Sequence, residues 1–330
     1  MNAAAGGVGI VGLGKAIPAR AVDNAVVEAS TGLAPGTIEK QTGITQRFVV
    51  AEGETLTALA SEASRGALTA AGAAATDLGL IVGCTYTPDY IFPALACDVQ
   101  RTLGAPGTAA FDLMANCTAF QVGAMVASDH MTCDPDLTHA LVIGAAIVSR
   151  SLDWSDPHSA MYFGDGAGAA VLGRVPAGYG FLSHAVSSQT RAYESVRLRR
   201  PAAGSAERTY IEMHGMDVWK QAAQHQPAVI RSAVAKAGLT LADVNFFIFH
   251  QANLHLITYL LSRLDAKPDR TYTNVERIGN TAEASMPIAL CEAVEQGRIR
   301  HGDVVVISGV GAGFTFGASV MRWYDPAHAG

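Results

Sequence analysis

The chain repeats its own order of patterns, and this constrains its fold more than any single motif does. The stretch AATDLGLIVGCTYTPD, residues 74–89, sets an Asp before a short apolar run and then a loop. LTLADVNFFIFHQANL, residues 239–254, has the same layout, and Asp243 follows Asp77 by 166 positions. Two more echoes keep that order: THALVIGAA from Thr138 returns as GDVVVISGVGAG from Gly302, and GDGAGAAVLG from Gly164 returns as GFTFGASVMR from Gly313. Chance explains one such echo but not three in the same order. The apolar runs are short and rich in Val and Ile, as strands covered on both faces are. Helical patterns lie between them, around residues 55–74, 118–132 and 218–237. Strands alternating with helices predict an α/β architecture. The internal echo predicts two pseudo-equivalent halves, 1–173 and 174–330, each carrying a sheet, with helices around and between the sheets.

Several classes of function are excluded at this stage. The 330 residues are 49% hydrophobic, enough for a large core, and the net charge is -6. With no basic run longer than RLRR at 197–200, a nucleic-acid partner is not expected. No apolar stretch reaches the ~18 residues that a bilayer requires, and no membrane association is predicted. The opening MNAAAGGVGIVGLG lacks a charged leader region and reads as a first strand, not a signal peptide. Five cysteines, Cys84, Cys97, Cys117, Cys133 and Cys291, are scattered without CxxC spacing. That fits a reducing cytoplasm and argues against a disulfide scaffold, a zinc cage or any other metal site. GVGIVG, Gly7–Gly12, matches the dinucleotide pattern GxGxxG, but no strand precedes it and KAIP follows. Gly9–Lys15 approaches a phosphate loop, yet Ala16 stands where a magnesium-binding hydroxyl belongs. Neither is read as a nucleotide site.

The stretch FDLMANCTAF, Phe111–Phe120, puts a thiol at a corner. TAAFDLMAN reads as a strand ending at Ala115–Asn116, and CTAFQVGAMVASDHM reads as a helix. Cys117 is thus placed at a helix amino terminus, where unpaired N–H groups and the helix dipole favour thiolate. An inert packed thiol is the competing reading. His250 closes the strand FFIFH and opens the loop QANL; the repeat sets this strand end where IVGC lies in the first half. Asn280, in IGNTAEASMP, precedes a helix capped by a small hydroxyl residue. Taken singly, His250 reads as structural and Asn280 as a turn or cap residue.

Together, DLMANCTAF, FGDGAGAAVL, HQANL, GNTAEAS and GVGAGFTFGA stand in the order and spacing of a β-ketoacyl-acyl carrier protein synthase III-like enzyme, which the chain resembles over essentially its whole length. The resemblance implies a thiolase fold, a layered α/β/α/β/α sandwich of two halves. It implies that Cys117 accepts an acyl group, with His250 and Asn280 in the same pocket and an oxyanion hole from the backbone N–H groups of Cys117 and Ala312. A malonyl thioester would lose carbon dioxide, and its enolate would attack the acyl-cysteine. A variant would join a β-ketoacyl thioester after deprotonation. No cofactor of the protein's own is implied, because the phosphopantetheine arm travels with the substrate. Asn280, where relatives that transfer acyl groups to an alcohol or amine carry Asp, favours carbon–carbon bond formation over that alternative. SGVGAGFTFG holds no second cysteine, which argues against a thiolase. An inert partner subunit is the third reading, opposed by the intact Cys, His and Asn.

The chain departs from that family in several places. In GTIEKQTGITQRF, Thr37 and Gln41 stand where coenzyme A-using relatives carry a Trp and an Arg, and Pro157 replaces a further basic residue. Without that aromatic-plus-cation clamp, both substrates are expected on acyl carrier protein. Lys220, Arg263 and the 197–200 run are candidate docking cations, or ordinary surface. His255 replaces a commonly basic residue, and Glu283 replaces a small one. Phe92, Glu283 and Phe314 are the expected substrate-pocket residues, Phe92 reaching across a homodimer interface by the same resemblance. Loops 85–95 and 185–215 set pocket size.

Overall fold

Two matched turns open corresponding strands of the two halves. In the computed structural model, which describes residues 6–201, 204 and 208–325, the Asp77 carboxylate accepts the Ala74 N–H at 2.8 Å and β4 (Leu78–Cys84) begins at the next residue. The Asp243 carboxylate accepts the Thr240 N–H at 2.8 Å, shortly before β11 (Phe246–Phe249). The repeated Asp is therefore a turn-closing residue, holding donors that would otherwise lack a partner. Residues 1–5 of the stretch read for a leader, and 202–203 and 205–207 of the 185–215 loop, lie outside the described residues.

The sheets repeat one another strand for strand. The first runs β1 (Gly7–Ala16), β7 (Gly166–Val175), β6 (His139–Ala146), β4, β5 (Ala109–Leu113). The second runs β8 (Gly180–Ser188), β13 (Thr315–Arg322), β12 (Val304–Gly311), β11. In both, the first two pairings are antiparallel and the third is parallel. The parallel partner of β4, β5, survives in the second half as a single bridge, Phe247 to Thr271. The GxGxxG stretch lies inside β1, packed on helix α3 (Leu56–Ala71). A Cβ at Gly14 would stand 2.1 Å from the Ala63 carbonyl oxygen, so this glycine serves close helix–sheet approach.

Helices complete five layers. Helices α3 and α4 (Leu95–Leu103) cover the outer face of the first sheet, and α7 (Gly215–Lys236) with α8 (Leu254–Arg263) covers that of the second. Between the sheets lie α5 (Ala119–Cys133) and α10 (Ser285–Glu295). The middle layer has one core: Phe120 and Met131 of α5 and Met286 and Leu290 of α10 pack with Val82, Val142, Val305 and Ile307 from both sheets. Burying such a side chain contributes about 1.5–3 kcal/mol. Around this body lie α1 (Asn24–Thr31), α2 (Thr37–Thr42), α6 (Pro157–Ala160) and α9 (Val275–Ile278). Two two-stranded antiparallel sheets also border it, β2 (Arg20–Asp23) with β3 (Gln46–Val49) and β9 (Val196–Leu198) with β10 (Ile211–Met213).

Candidate active site

Cys117 sits on a tight turn between β5 and α5. Asn116 takes a left-handed conformation, φ 49°, and opens a 3₁₀ turn, Asn116–Thr118. The α-helix starts two residues later than the sequence pattern suggests, at Ala119. The turn is tied to the last Gly-rich segment: Asn116 Nδ2 donates to the Ala312 carbonyl at 3.0 Å, and Thr118 Oγ1 to the Thr315 carbonyl at 3.0 Å. A Cβ on Gly311 would stand 2.4 Å from the Ala115 carbonyl, so the turn is pressed directly on β12. The expected lowering of the thiol pKa is not found. Cys117 packs with Ala146, Phe163 and Ala282, and burial pushes the thiol up, with the Glu283 charge adding to the rise and the Cys117 N–H opposing it.

His250 follows β11 directly and is buried. Its Nδ1 lies 2.6 Å from Ser285 Oγ, and that same oxygen accepts the Gln251 N–H at 3.3 Å. A Ser285 proton donated to Nδ1 would leave the ring proton on Nε2, the tautomer adopted below. Burial lowers the His250 pKa to about 3, so the ring is neutral throughout the working range. Asn280 Oδ1 accepts the Ala282 N–H at 2.9 Å, which leaves the side-chain amine as the donor end. The backbone of Asn280 is gripped by the FGDGAG segment: its N–H donates to the Tyr162 carbonyl at 2.9 Å, and its carbonyl accepts the Gly164 N–H at 3.0 Å. The contact of Ser285 with His250 joins residues 35 apart and has no local signature in the sequence.

Cys117, His250 and Asn280 line one cleft, with Ala312 and Phe314, that opens to solvent. Its remaining wall is largely apolar, from Phe163, Val196, Trp219 and Leu256 among others. Glu283 does not line it; the carboxyl is buried behind the cleft, close to the Tyr86 amide but without a hydrogen bond of normal geometry. Phe92 does not line the cleft of its own chain and is 84% exposed; its neighbours Tyr90 and Ile91 are exposed too, as are Phe111 on β5 and Met114 just after it. Lys220 is exposed and pairs with Asp217 at 3.3 Å, and Arg263 is exposed at the end of α8. Within 197–200, Arg197 pairs with Glu194 and Glu212, and Arg199 with Glu212, so much of that positive charge is neutralised locally. Thr37 and Gln41 lie on α2, whose end meets the start of α8: Asn253 Nδ2 donates to the Gln41 carbonyl at 3.3 Å and His255 Nε2 to the Lys40 carbonyl at 3.0 Å. Asn253 itself borders the cleft. Among the described residues no group of three or more His, Cys, Asp or Glu side chains could hold a metal ion, and no helix is long and apolar enough to cross a membrane.

Residues 111–190 match the family described as 3-oxoacyl-(acyl-carrier-protein) synthase III, and residues 234–323 match its C-terminal part. A β-ketoacyl-(acyl-carrier-protein) synthase III of Bacillus pumilus is 37% identical over 315 residues, covering 96% of this chain and 98% of its own. One of Rhodospirillum centenum is 39% identical over 318 residues, covering 95% and 98%. The chain belongs to the synthase III family. The crystal structure of 3-oxoacyl-(acyl-carrier-protein) synthase III from Aquifex aeolicus VF5 superposes with a TM-score of 0.90 at 34% identity, covering 96% of this chain and 100% of the other. The priming β-ketosynthase of the R1128 polyketide pathway superposes at 0.92 with 29% identity, covering 98% of each. The layered thiolase fold expected from the sequence is the fold observed. In this synthase III chain the cleft joins residues from both halves of the sequence, Cys117 from the first and His250 and Asn280 from the second.

Proposed function

We propose that the chain is a ketosynthase that forms a carbon–carbon bond by Claisen condensation between an acyl group held on Cys117 and a second thioester. One observation carries this reading: a thiol, a neutral imidazole and a carboxamide whose oxygen is already engaged meet in one apolar cleft. The sulfur attacks the donor thioester, and the backbone N–H groups of Cys117 and Ala312 hold the oxyanion while the first carrier thiol departs with the proton. The second thioester, malonyl, then loses carbon dioxide. His250 Nε2–H and the Asn280 amine donate to its oxygen as the enolate forms, and neither gives up its proton. The enolate carbon attacks the acyl-cysteine, and a β-ketoacyl thioester leaves. Donors fixed in advance in a dry site are worth about 10²–10³ in rate each.

Acyl carrier protein is the proposed bearer of both substrates, because α2, joined through the Gln41 carbonyl to the cleft residue Asn253, carries Thr37 and Gln41, and neither offers an aromatic face for a base or a cation for a phosphate. The phosphopantetheine arm then arrives with the substrate and no resident cofactor takes part. A homodimer follows from the apolar patch around Phe92, and a reducing cytoplasm suits five free cysteines. Transfer to a hydroxyl or amine has less support, since Asn280 supplies donors and no base.

Intact-protein mass spectrometry tests the reading. Acyl carrier substrate should leave an adduct on the wild type and none on Cys117→Ala. Asn280→Ala and His250→Ala should still acylate but lose malonyl-dependent carbon dioxide release and product by about 10²-fold or more. Equal loss of both half-reactions in Asn280→Ala overturns the assignment, and saturation by acyl-CoA matching that by acyl carrier protein overturns the choice of carrier.

A further inference from the structure

The internal repeat places a second reactive-type side chain opposite the nucleophile. α5 is preceded by the 3₁₀ turn Asn116–Thr118, and α10 by the 3₁₀ turn Ala282–Ala284. Each turn opens on a non-glycine residue in the left-handed region, Asn116 at φ 49° and Ala282 at φ 48°. The residues on either side match as well: Ala115 and Thr281 have ψ 26° and 27°, and Thr118 and Ala284 are both right-handed helical. The middle residue of the first turn is Cys117 and of the second Glu283, and the two turns pack against each other. Glu283 is 0% exposed, and neither carboxyl oxygen has a hydrogen-bond partner among the described residues.

We propose that Glu283 governs the proton on Cys117: while the carboxyl is in its acid form the sulfur can ionise, and once the carboxyl is charged the thiol keeps its proton. Glu283 is thus a tuning residue that acts through Cys117 and lies outside the cleft. The physical reason is that two anions side by side in a medium that screens poorly repel strongly. The main-chain N–H groups of Cys117, Glu283 and Tyr86 oppose it, but no cationic side chain does among the groups that act on either residue. The ionisable groups facing Glu283 are Cys117 on the first turn, Cys84 at the end of β4 and Tyr86 just beyond it, all of which become anions. Asp165, ahead of β7, adds to the field on Tyr86. The β6 segment packed on the turn, Gly144–Ala146, bears no ionisable side chain. His250, held by Ser285 at the start of α10, is neutral. Burial pushes the Glu283 pKa up to about 8; burial is also the larger cause of the raised Cys117 pKa, and the Glu283 charge adds to it.

The inference rests on the proposed role of Cys117, and alkylation keeps the two separable. The rate of iodoacetamide addition at Cys117 is followed by mass spectrometry from about pH 6 to 10 in the full-length wild type, Glu283→Gln and Glu283→Ala. Both variants remove the charge and should move the midpoint of thiol reactivity down by at least about one pH unit. Alkylation should then be about tenfold faster near pH 9. The alanine variant restores a small residue and covers the case in which the glutamine does not fold. Coincident midpoints in wild type and variants, or a higher midpoint in the variants, overturn the inference. Failure of the wild type to accept any acyl group would instead sink the condensing reading and leave the alkylation result standing.

Discussion

Replacing Ser285 by Ala removes the hydroxyl that holds His250 Nδ1 at 2.6 Å, and the ring is then free to carry its proton on either nitrogen. Condensation by pre-acylated enzyme should fall about tenfold or more, short of the ~10²–10³ that loss of a donor itself costs. Ser285→Thr, which keeps the hydroxyl, should recover much of it. Glu283 makes a second prediction, on stability. Its folded pKa of about 8 lies above its ordinary value of 4.5. A raised pKa contributes stability that is complete below the ordinary value and lost as pH climbs through the folded one. At ~1.4 kcal/mol per unit, up to about 5 kcal/mol should disappear between about pH 4.5 and 8. Denaturant midpoints of the wild type should show this slope and those of Glu283→Gln should not. At this scale the sequence disclosed the residues whose motifs are nearly continuous, Cys117, His250 and Asn280. It did not disclose Ser285's role or Glu283's placement, because both depend on contacts across the fold. The thiol's ionisation was misjudged for the same reason: a helix start is visible locally, whereas burial is a tertiary property.

The turns around the cleft are held by close backbone approach, and glycine is what permits it. Gly311→Ala would bring a methyl to 2.4 Å of the Ala115 carbonyl, displacing the turn that carries Cys117. Overpacking of this kind costs about 1–3 kcal/mol, and here the larger effect should be kinetic, a slower acylation of Cys117 seen by quenched mass spectrometry. Helix α5 begins at Ala119 and not at Cys117 because a left-handed Asn116 starts a 3₁₀ turn first. Apolar spacing cannot reveal that, since both helix types put similar residues inside. The strand order, by contrast, was foreshadowed by the repeated runs, and Asp77 and Asp243 close equivalent turns.

In the whole molecule, β5 ends the first sheet as an edge strand, and Phe111 upon it is exposed together with Met114 and residues 90–92. Exposed edges and apolar patches of this kind are normally covered. On the proposed homodimer, the wild type should sediment as a dimer and Phe111→Asp should shift toward monomer. Pattern reading identified both sheets but not the depth of their interdependence. Helices α5 and α10 share one core with both sheets. On the ribosome, α5 therefore emerges about 150 residues before α10 arrives to cover it. At ~5–20 residues per second that is a delay of about 8–30 seconds. Through that interval the nascent chain carries a sticky, half-built interior, and residues 1–173 expressed alone should bind hydrophobic dyes and aggregate where the full chain stays dispersed. Timely synthesis of the last helix, as much as any interaction in the finished protein, thus sets how much usable enzyme a cell obtains.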